Sequence, residues 1–432
     1  MELLRNRGAQ VRAMDAQPVS TEEREVFARW GVPVVAQQAE NVAEDGRDPD
    51  AIVLSPGVPY DLPLLAEARG RSIPVVGEVE LASYFLKGPI IGITGSNGKT
   101  TTTALTGHIL TECGIACQVA GNIGVAIASR VDSSRQDQWN VLELSSFQLE
   151  SISHFRANIS ACLNVTPDHL DRHHTFEQYA AAKARLFETQ QAGDLAVLNR
   201  DDATCYEFAK RTKAEVFWFS SSRKVTPGIW CSEQMVCWND EPFLHRSQIK
   251  LRGAHNVENV LAAALMAHLA GAPLAGIERA VGSFAGVEHR LEFVRTLDGV
   301  DYFNDSKATN VDAALKAIEA FPSGLWVILG GKDKGSDYEP LREPLHARAK
   351  AALLIGAPPP YEHAAAPLIE KALAGAVTLV ECGTLEQAVH HAREHAKAGD
   401  TVLLAPACAS FDQFCDYEER GRRFKELVKE LS

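Results

Sequence analysis

Residues 92–103 read GITGSNGKTTTT, a glycine-rich turn followed by a lysine and four threonines. The run PIIGIT (89–94) leading into it has the composition of a buried strand, and the threonines open a helix. Gly95 and Gly98 let the backbone turn tightly, so that its N–H groups can face phosphate oxygens at the N-terminus of that helix. Lys99 brings charge to β- and γ-phosphates, and the Thr100 hydroxyl suits Mg2+. Gly95, Ser96, Asn97, Gly98, Lys99, Thr100 and Thr101 are therefore the expected cradle for a nucleoside triphosphate. The strict G-x-x-x-x-G-K-[ST] spacing is missed by one residue, since Ile93 holds the first glycine position and Gly92 lies one earlier. An ordinary strand-to-helix turn with a chance lysine is the alternative. The strand before the turn and the helix after it favour the nucleotide.

Outward from this turn, strand-like and helix-like segments alternate almost throughout, which predicts an α/β chain with mostly parallel sheets. AIVLSPGVP (51–59) and IPVVGEVELASYF (73–85) are apolar runs that end in Pro or Gly turn chemistry. IIGITG, NVLELSSFQLE (140–150), ANISACLNV (157–165), DLAVLN (194–199) and EVFWFS read as strands, and GIWCSEQMVCW (228–238) as a hairpin. VDYFNDS, GLWVILGG, AALLIG, AVTLVEC and DTVLLAPACAS continue the pattern to the C-terminus. At 432 residues the chain is too long for one ordinary core. Breaks near LKGP (86–89) and SFAGVEHRLE (283–292) divide it into three expected domains, 1–88, 89–286 and 287–432.

Composition narrows the partners. Apolar residues make up 46% and charged residues 23%, as in soluble globular proteins. A net charge of −13 disfavours nucleic acid or an anionic membrane surface, yet leaves room for anionic small substrates, which need only local positive charge. Nine scattered cysteines without a C-x-x-C pair fit reduced cytosolic thiols. The N-terminal MELLRNRGAQ lacks the apolar core of a signal peptide, and no apolar run approaches the roughly 18 residues of a membrane span. A cytoplasmic monomer without membrane insertion is expected.

The opening is unusual. MELLRNRGAQVRAMD reads as the second half of a helix, a stop at Gly8 and a strand ending at Asp15. A doubly wound domain ordinarily begins with a strand and a glycine-rich turn ahead of that helix. Both are missing, so the N-terminal domain is expected to be incomplete, through a late start codon or a shortened chain.

The phosphate turn alone does not separate a kinase, a switch GTPase and a ligase that activates a carboxylate. In VLELSSFQLE a strand ends on Glu143, with Ser145 and Ser146 following, which suits a magnesium ligand beside phosphates; a buried capping glutamate is the bland alternative. NVTPDHLDRH (164–173) sets His169 between Asp168 and Asp171. YAAAKARLFE (179–188) is an alanine-rich helix whose Lys183, by composition alone, reads as a solvated surface lysine.

At these residues the chain resembles the Mur ligase family. The motifs that carry the resemblance are GITGSNGKTTT, GNIG (121–124), ELSSFQLE, NVTPDHLDRH, AAKARLFE, GAHNVENVLAA (253–263), GVEHRLE, NDSKATN (304–310), LGGKDKG (329–335) and PACASFDQF (406–414). They run in family order from about residue 50 to the C-terminus. The missing first glycine of the phosphate loop is itself a family trait. ELSSFQLE, NDSKATN and PACASFDQF are the more specific and are similar to the D-glutamate-adding members, while the D-N-P-[RA] motif of diaminopimelate-adding members does not occur.

The resemblance implies a Rossmann-like UDP-binding domain, a central ATPase domain and a Rossmann-like C-terminal domain that docks the amino acid. It implies that ATP phosphorylates a carboxylate of UDP-N-acetylmuramoyl-L-alanine and that the amine of D-glutamate attacks the acyl phosphate. Thr100 and Glu143 would hold Mg2+ between the β- and γ-phosphates, and His169 with a carbamylated Lys183 a second Mg2+. Asn122 and Ser145 would contact the substrate or the reacting phosphate, with Ser55 of SPG (55–57) on the UDP side. Asn256, Asn259, Arg290 and Asp305 would contact ATP. Lys307, Thr309, Lys334, Ser410 and Phe411 would hold D-glutamate, and Tyr417 stands where the family commonly has Phe. Three readings compete: a family ligase with another amino acid or a folate acceptor, a kinase or GTPase needing no amino acid, and a catalytically impaired nucleotide-binding homologue. PACASFDQF speaks against the first, and the joint presence of Lys99, Glu143, His169 and Lys183 against the last.

Overall fold

The computed structural model describes residues 1–16, 21–38, 41–43, 47–122, 125–251, 253–333, 335–357 and 363–432. Packing divides the chain into two compact units: Met1–Ile249 with Glu258–Ser283, and Lys250–Val257 with Phe284–Ser432.

In the first unit, β1 (Ala13–Asp15) pairs in parallel with β2 (Val34–Ala36), and β3 (Ile52–Leu54) with β4 (Val75–Gly77). The larger sheet comprises β5 (Ile90–Thr94), β6 (Cys117–Gly121), β7 (Trp139–Glu143), β8 (Ile159–Cys162), β9 (Leu195–Asn199), β10 (Glu215–Ser220), β11 (Gly228–Cys231), β12 (Met235–Trp238) and β13 (Glu241–His245). Their spatial order is β13-β12-β11-β10-β9-β8-β5-β7-β6, parallel from β6 to β11 and antiparallel across β11, β12 and β13. The chain leaves β5 for β6 on one side and later returns to β8 on the other. The phosphate turn therefore leaves β5 where the strand order reverses, the position at which open α/β sheets form a binding crevice.

β5 is buried along its whole length, which explains its unbroken apolar run. The helix Lys99–Glu112 buries Thr100 to Thr103 and Thr106 together with Leu105, Ile109 and Leu110. Thr106 remains compatible with burial because its hydroxyl donates back to the Thr102 carbonyl at 2.7 Å.

IPVVGEVELASYF divides into β4 and a helix, Glu78–Ser83, because Gly77 ends the strand and acts as the helix N-cap. Glu80 of that helix is fully buried, and its carboxylate accepts from the backbone N–H groups of Ser153, His154 and Phe155 at 2.8–2.9 Å and from the Tyr84 hydroxyl at 2.6 Å. Burial alone would raise its pKa. The Tyr84 hydroxyl and the three N–H groups outweigh burial and hold the carboxyl below its ordinary value.

In the second unit, β14 (Glu292–Leu297), β15 (Val300–Asn304), β16 (Leu325–Gly330), β17 (Ala349–Ile355), β18 (Thr378–Gly383) and β19 (Thr401–Leu404) form a sheet in the order β14-β15-β19-β16-β17-β18. Only the β14–β15 pairing is antiparallel. Alternate strand residues feed two cores, Phe303, Val327 and Leu403 on one face and Tyr302, Ile328 and Val402 on the other. NDSKATN, LGGKDKG and PACASFDQF follow the C-terminal ends of β15, β16 and β19, which are neighbours, so the sheet gathers three distant motifs at one edge.

The hairpin expected at GIWCSEQMVCW is β11 and β12, extended by β13. All nine cysteines are free. Among the described residues no helix is long and apolar enough to cross a membrane.

Candidate active site

The phosphate loop is braced by the segment that follows β8. Asn164 Oδ1 accepts from the Asn97 N–H at 2.8 Å, and the Ser96 N–H donates to the Asn164 carbonyl at 2.9 Å. Ser96 Oγ donates to the Thr166 carbonyl at 2.9 Å and lies 3.0 Å from the Tyr179 hydroxyl. Gly98 has φ +83°, and a Cβ there would collide with Asn259 Oδ1, so both the backbone and the buried Asn259 demand glycine. The same Asn259 oxygen accepts from Thr102 Oγ1 at 3.3 Å. Thr100 and Thr101 are buried in the first turn of the helix.

Two lysines converge on this loop. Lys99 Nζ donates to the carbonyls of Gly95 and Ser96, both at 2.9 Å, and Lys183 Nζ donates to the Gly95 carbonyl at 2.8 Å. Lys183 is 1% exposed, which overturns its reading as a solvated side chain. The short alanines of the helix Phe176–Glu188 let its face, with Tyr179, Ala180, Leu186 and Phe187, pack inward and carry the lysine with it. A loop carbonyl and the Tyr179 ring, 4.5 Å from Nζ, receive the ammonium. Burial, aided by the nearby charge of Lys99, lowers the Lys183 pKa from 10.5 to about 7.

Glu143 ends β7, with Ile93 of β5 beside it in register. It is 2% exposed; Oε1 accepts from Asn122 Nδ2 at 2.9 Å, and the Asn122 N–H donates to the Glu143 carbonyl at 2.9 Å. Among the described residues Oε2 is buried without a hydrogen-bond partner. An unmatched buried carboxylate oxygen costs about 1–3 kcal/mol or more, and it is the hard anionic donor that Mg2+ prefers. The donor set at Glu143 thus fits the implied ion.

His169 is placed differently. Its side chain is half-exposed, its backbone has φ +52°, and its Nε2 lies 3.6 Å from Asp168 Oδ2. Its ring packs 4.9 Å from that of Phe147 and 6.5 Å from that of Tyr179, whose ring also receives Lys183 Nζ. Among the described residues no three His, Cys, Asp or Glu side chains gather as a ready metal cluster. Ser145 caps the helix Ser146–Leu149 in a capping box with Gln148. Ser55 lines a shallow, open cleft with Leu54, Val58, Gly77, Phe147 and Glu150.

The second unit holds the remaining candidates. Asn256 is 7% exposed near the start of the helix Ala254–Leu269. Asp305, just past β15, is 6% exposed; burial raises its pKa from 3.8 to about 7 against the opposing pull of Arg290, the Leu291 N–H and Lys307. Lys307 Nζ lies 5.7 Å above the ring of Tyr417, the residue that stands where the family commonly has Phe. Thr309 donates its N–H to the Lys307 carbonyl at 2.8 Å. Ser410 is buried, whereas Phe411 is 66% exposed. Lys334 lies outside the described residues, as do Ile123 and Gly124 of GNIG.

Sequence reasoning missed Arg420. Its guanidinium is fully buried, donating from Nε to Ser306 Oγ at 3.0 Å, from Nη2 to the Ser306 carbonyl at 2.8 Å, and from both Nη atoms to the Cys408 carbonyl at 3.3 Å. It stitches NDSKATN to PACASFDQF. The available signal was a lone arginine on the buried stripe of the amphipathic helix Tyr417–Glu430.

Comparison with known proteins gives the family. Residues 93–267 match the Mur ligase middle domain, and residues 289–408 match the Mur ligase, glutamate ligase domain. The UDP-N-acetylmuramoylalanine--D-glutamate ligase of Solibacter usitatus is 59% identical over 431 residues, covering 100% of this chain and 94% of that protein. The chain belongs to the Mur ligase family. A second relative of this Mur ligase, the UDP-N-acetylmuramoylalanine--D-glutamate ligase of Koribacter versatilis, is 49% identical over 99% of this chain and 94% of its own length. Among solved structures, MurF ligase from Thermotoga maritima in complex with ADP superposes with a TM-score of 0.64 at 17% identity, covering 99% of this chain and 98% of that one. The UDP-N-acetylmuramate-alanine ligase MurC of the same organism gives a TM-score of 0.60 at 20% identity, over 98% and 94%. At these identities the two structures speak for the Mur ligase fold.

Proposed function

We propose that this Mur ligase uses ATP to join D-glutamate to UDP-N-acetylmuramoyl-L-alanine in the cytoplasm. Support comes from relatives of that name covering nearly the whole chain, and from the convergence of Lys99, Lys183 and the Gly95 carbonyl beneath the phosphate loop. The convergence carries the reading: Lys99 would bring positive charge to the transferred γ-phosphoryl group, and Lys183 shares the Gly95 carbonyl with it. We read the chain as three functional segments, 1–88 for the UDP-linked acceptor, 89–286 for ATP and 287–432 for the amino acid.

A free carboxylate resists attack by an amine because it is anionic and would have to expel oxide. Transfer of the γ-phosphoryl group to it creates a phosphate leaving group; the D-glutamate amine then adds to the carbonyl carbon, and phosphate departs as the amide forms. Crowding these anions together requires preorganised positive charge and fixed positions. Loop N–H groups would face the phosphates, and Lys99 would exchange its loop carbonyls for the stronger phosphate acceptors. Asn259 fixes the loop from below, and Asn256, Arg290 and Asp305 would contact the rest of ATP. Lys307, Thr309, Ser410, Phe411 and Lys334 would hold the dicarboxylate, with Arg420 fixing the two loops that carry most of them.

Mg2+ held by Thr100 and Glu143 would draw charge from the β- and γ-phosphates, and a second ion at His169 and a carbamylated Lys183 would do so for the acyl phosphate. The environment of Lys183 favours that modification. With a pKa of about 7, much of the side chain is a neutral amine at physiological pH. Its lone pair can add to the carbon of CO2; nitrogen then loses one proton, leaving an anionic carbamate.

The test is phosphate release with UDP-N-acetylmuramoyl-L-alanine and ATP, with and without D-glutamate. Strict dependence on D-glutamate, with L-glutamate a poor substitute, is expected. Equal turnover without an amino acid would reject the ligase reading in favour of a kinase or simple ATPase.

A further inference from the structure

A half-buried ionic strut, unused in this chemistry, runs between the phosphate loop and the turn at Ser55–Val58. Arg172, in the short helix Leu170–His173, has a side chain only 14% exposed. Its Nη2 donates to Glu150 Oε2 at 2.8 Å and to the Val58 carbonyl at 3.0 Å, and its Nη1 donates to the Gly57 carbonyl at 3.4 Å. The guanidinium also lies 5.1 Å from the Phe147 ring centroid. The other Glu150 oxygen meets His173 Nδ1 at 3.1 Å, and His173 Nε2 lies 2.9 Å from Ser146 Oγ. The His173 ring stacks on Phe147 and meets Tyr179 edge-on at 5.2 Å. Tyr179 reaches Ser96 of the phosphate loop and carries Lys183 on its face.

Contacts are thus continuous from Ser96 and Lys183 through Tyr179, His173, Glu150 and Arg172 to two backbone carbonyls about 115 residues earlier in sequence. Those carbonyls belong to a turn, closed by the Val58 N–H on the Ser55 carbonyl at 3.0 Å, that lines the shallow cleft through Ser55, Pro56 and Val58. Phe147 and Glu150 line the same cleft. We propose that Arg172 is a positioning residue for the acceptor: its fork holds the Ser55–Val58 turn at a fixed distance from the phosphate loop, so that an anionic sugar nucleotide bound along that turn presents its carboxylate to the γ-phosphate. This rests on the ligase reading. It adds a residue that touches neither ATP nor the reacting atoms.

The chemistry of the side chain sets the test. A lysine at 172 can still neutralise Glu150, yet a single ammonium cannot reproduce the planar fork that reaches Glu150 and two carbonyls together. Arg172→Lys should therefore keep the fold and the phosphate loop while loosening the turn. The expected result is a KM for UDP-N-acetylmuramoyl-L-alanine raised about tenfold or more, with the KM for ATP changed less than about twofold. Glu150→Gln leaves the Arg172 bonds to the two carbonyls available and should raise the acceptor KM less than Arg172→Lys does. Calorimetric binding of the same acceptor without ATP separates this proposal from the ligase reading. If the wild-type protein binds the acceptor but forms no amide, the ligase reading fails and the binding comparison decides the role of Arg172. An unchanged acceptor affinity in folded Arg172→Lys, or equal losses for acceptor and ATP, would overturn the proposal. A wild-type chain that does not bind the acceptor would overturn both.

Discussion

The two sheets place their candidate residues alike and treat charge in opposite ways. In each, loops at the C-terminal ends of neighbouring parallel strands carry the motifs. In the nine-stranded sheet the telling group is a base, Lys183, which burial and Lys99 bring down from 10.5 to about 7. In the six-stranded sheet it is an acid, Asp305, which burial brings up from 3.8 to about 7. Desolvation penalises whichever form is charged, so it moves bases down and acids up. One consequence is chemical: near pH 7 the first sheet holds an amine able to act as a nucleophile. The other is energetic. Both groups are maintained at a cost to folding, at about 1.4 kcal/mol per pKa unit, which makes them candidates for a functional rather than a stabilising role.

The largest expected effect is on catalysis at the first sheet. Lys183→Ala should lose turnover by about 10² or more while staying folded, and acetate should partly restore it by supplying carboxylate oxygens in the vacated space. Full activity in that variant would remove the lysine from the site. Lys99→Ala and Glu143→Ala should each reduce turnover by about 10² with secondary structure intact by circular dichroism; near-normal activity of Glu143→Ala would end its assignment as a magnesium ligand.

A smaller effect sharpens the contrast through pH. Protonation of Lys183 below about pH 7 removes the free amine, so turnover should fall on the acid side with an apparent pKa near 7. Bicarbonate added at pH 6.5 should lessen the fall. A profile flat from pH 6 to 8 would contradict the depressed lysine.

Stability should respond in opposite senses. Between about pH 7 and 10.5 the unfolded chain protonates Lys183 while the folded chain does not, so this group makes stability rise with pH across that window. Between 3.8 and about 7 the folded chain protonates Asp305 while the unfolded chain does not, so stability falls as pH rises. Lys183→Met should be inactive yet more stable than wild type at pH 7 by about 1–3 kcal/mol. Asp305→Asn should flatten the acid-side slope in hydrogen exchange of β15 and β19. The same sign of slope for both groups would break the comparison.

How legible these features were follows from how local their causes are. The phosphate turn, β5 and the hairpin at β11 and β12 were readable because glycine positions and apolar runs determine them within a few residues. Lys183 was misread because its helix looks exposed until the segment it packs against is known. Arg172 and Arg420 were invisible for a related reason: each gains its meaning from carbonyls more than ten residues away, at Gly57 and Val58 or at Ser306 and Cys408. Periodicity does not encode such partners. Glu143 was readable as the end of a strand, whereas its unmatched Oε2 required the fold.

The Glu80 clamp has a consequence for cooperativity. Its carboxylate terminates three successive amide donors, Ser153 to Phe155, that belong to the loop leading into β8. Cutting the chain at the expected boundary near residue 88 would strand those donors and unseat the loop that feeds the centre of the nine-stranded sheet. Residues 1–88 and that sheet are therefore expected to melt as one body, and a fragment beginning at β5 should be an aggregation-prone remnant rather than a minimal ATPase.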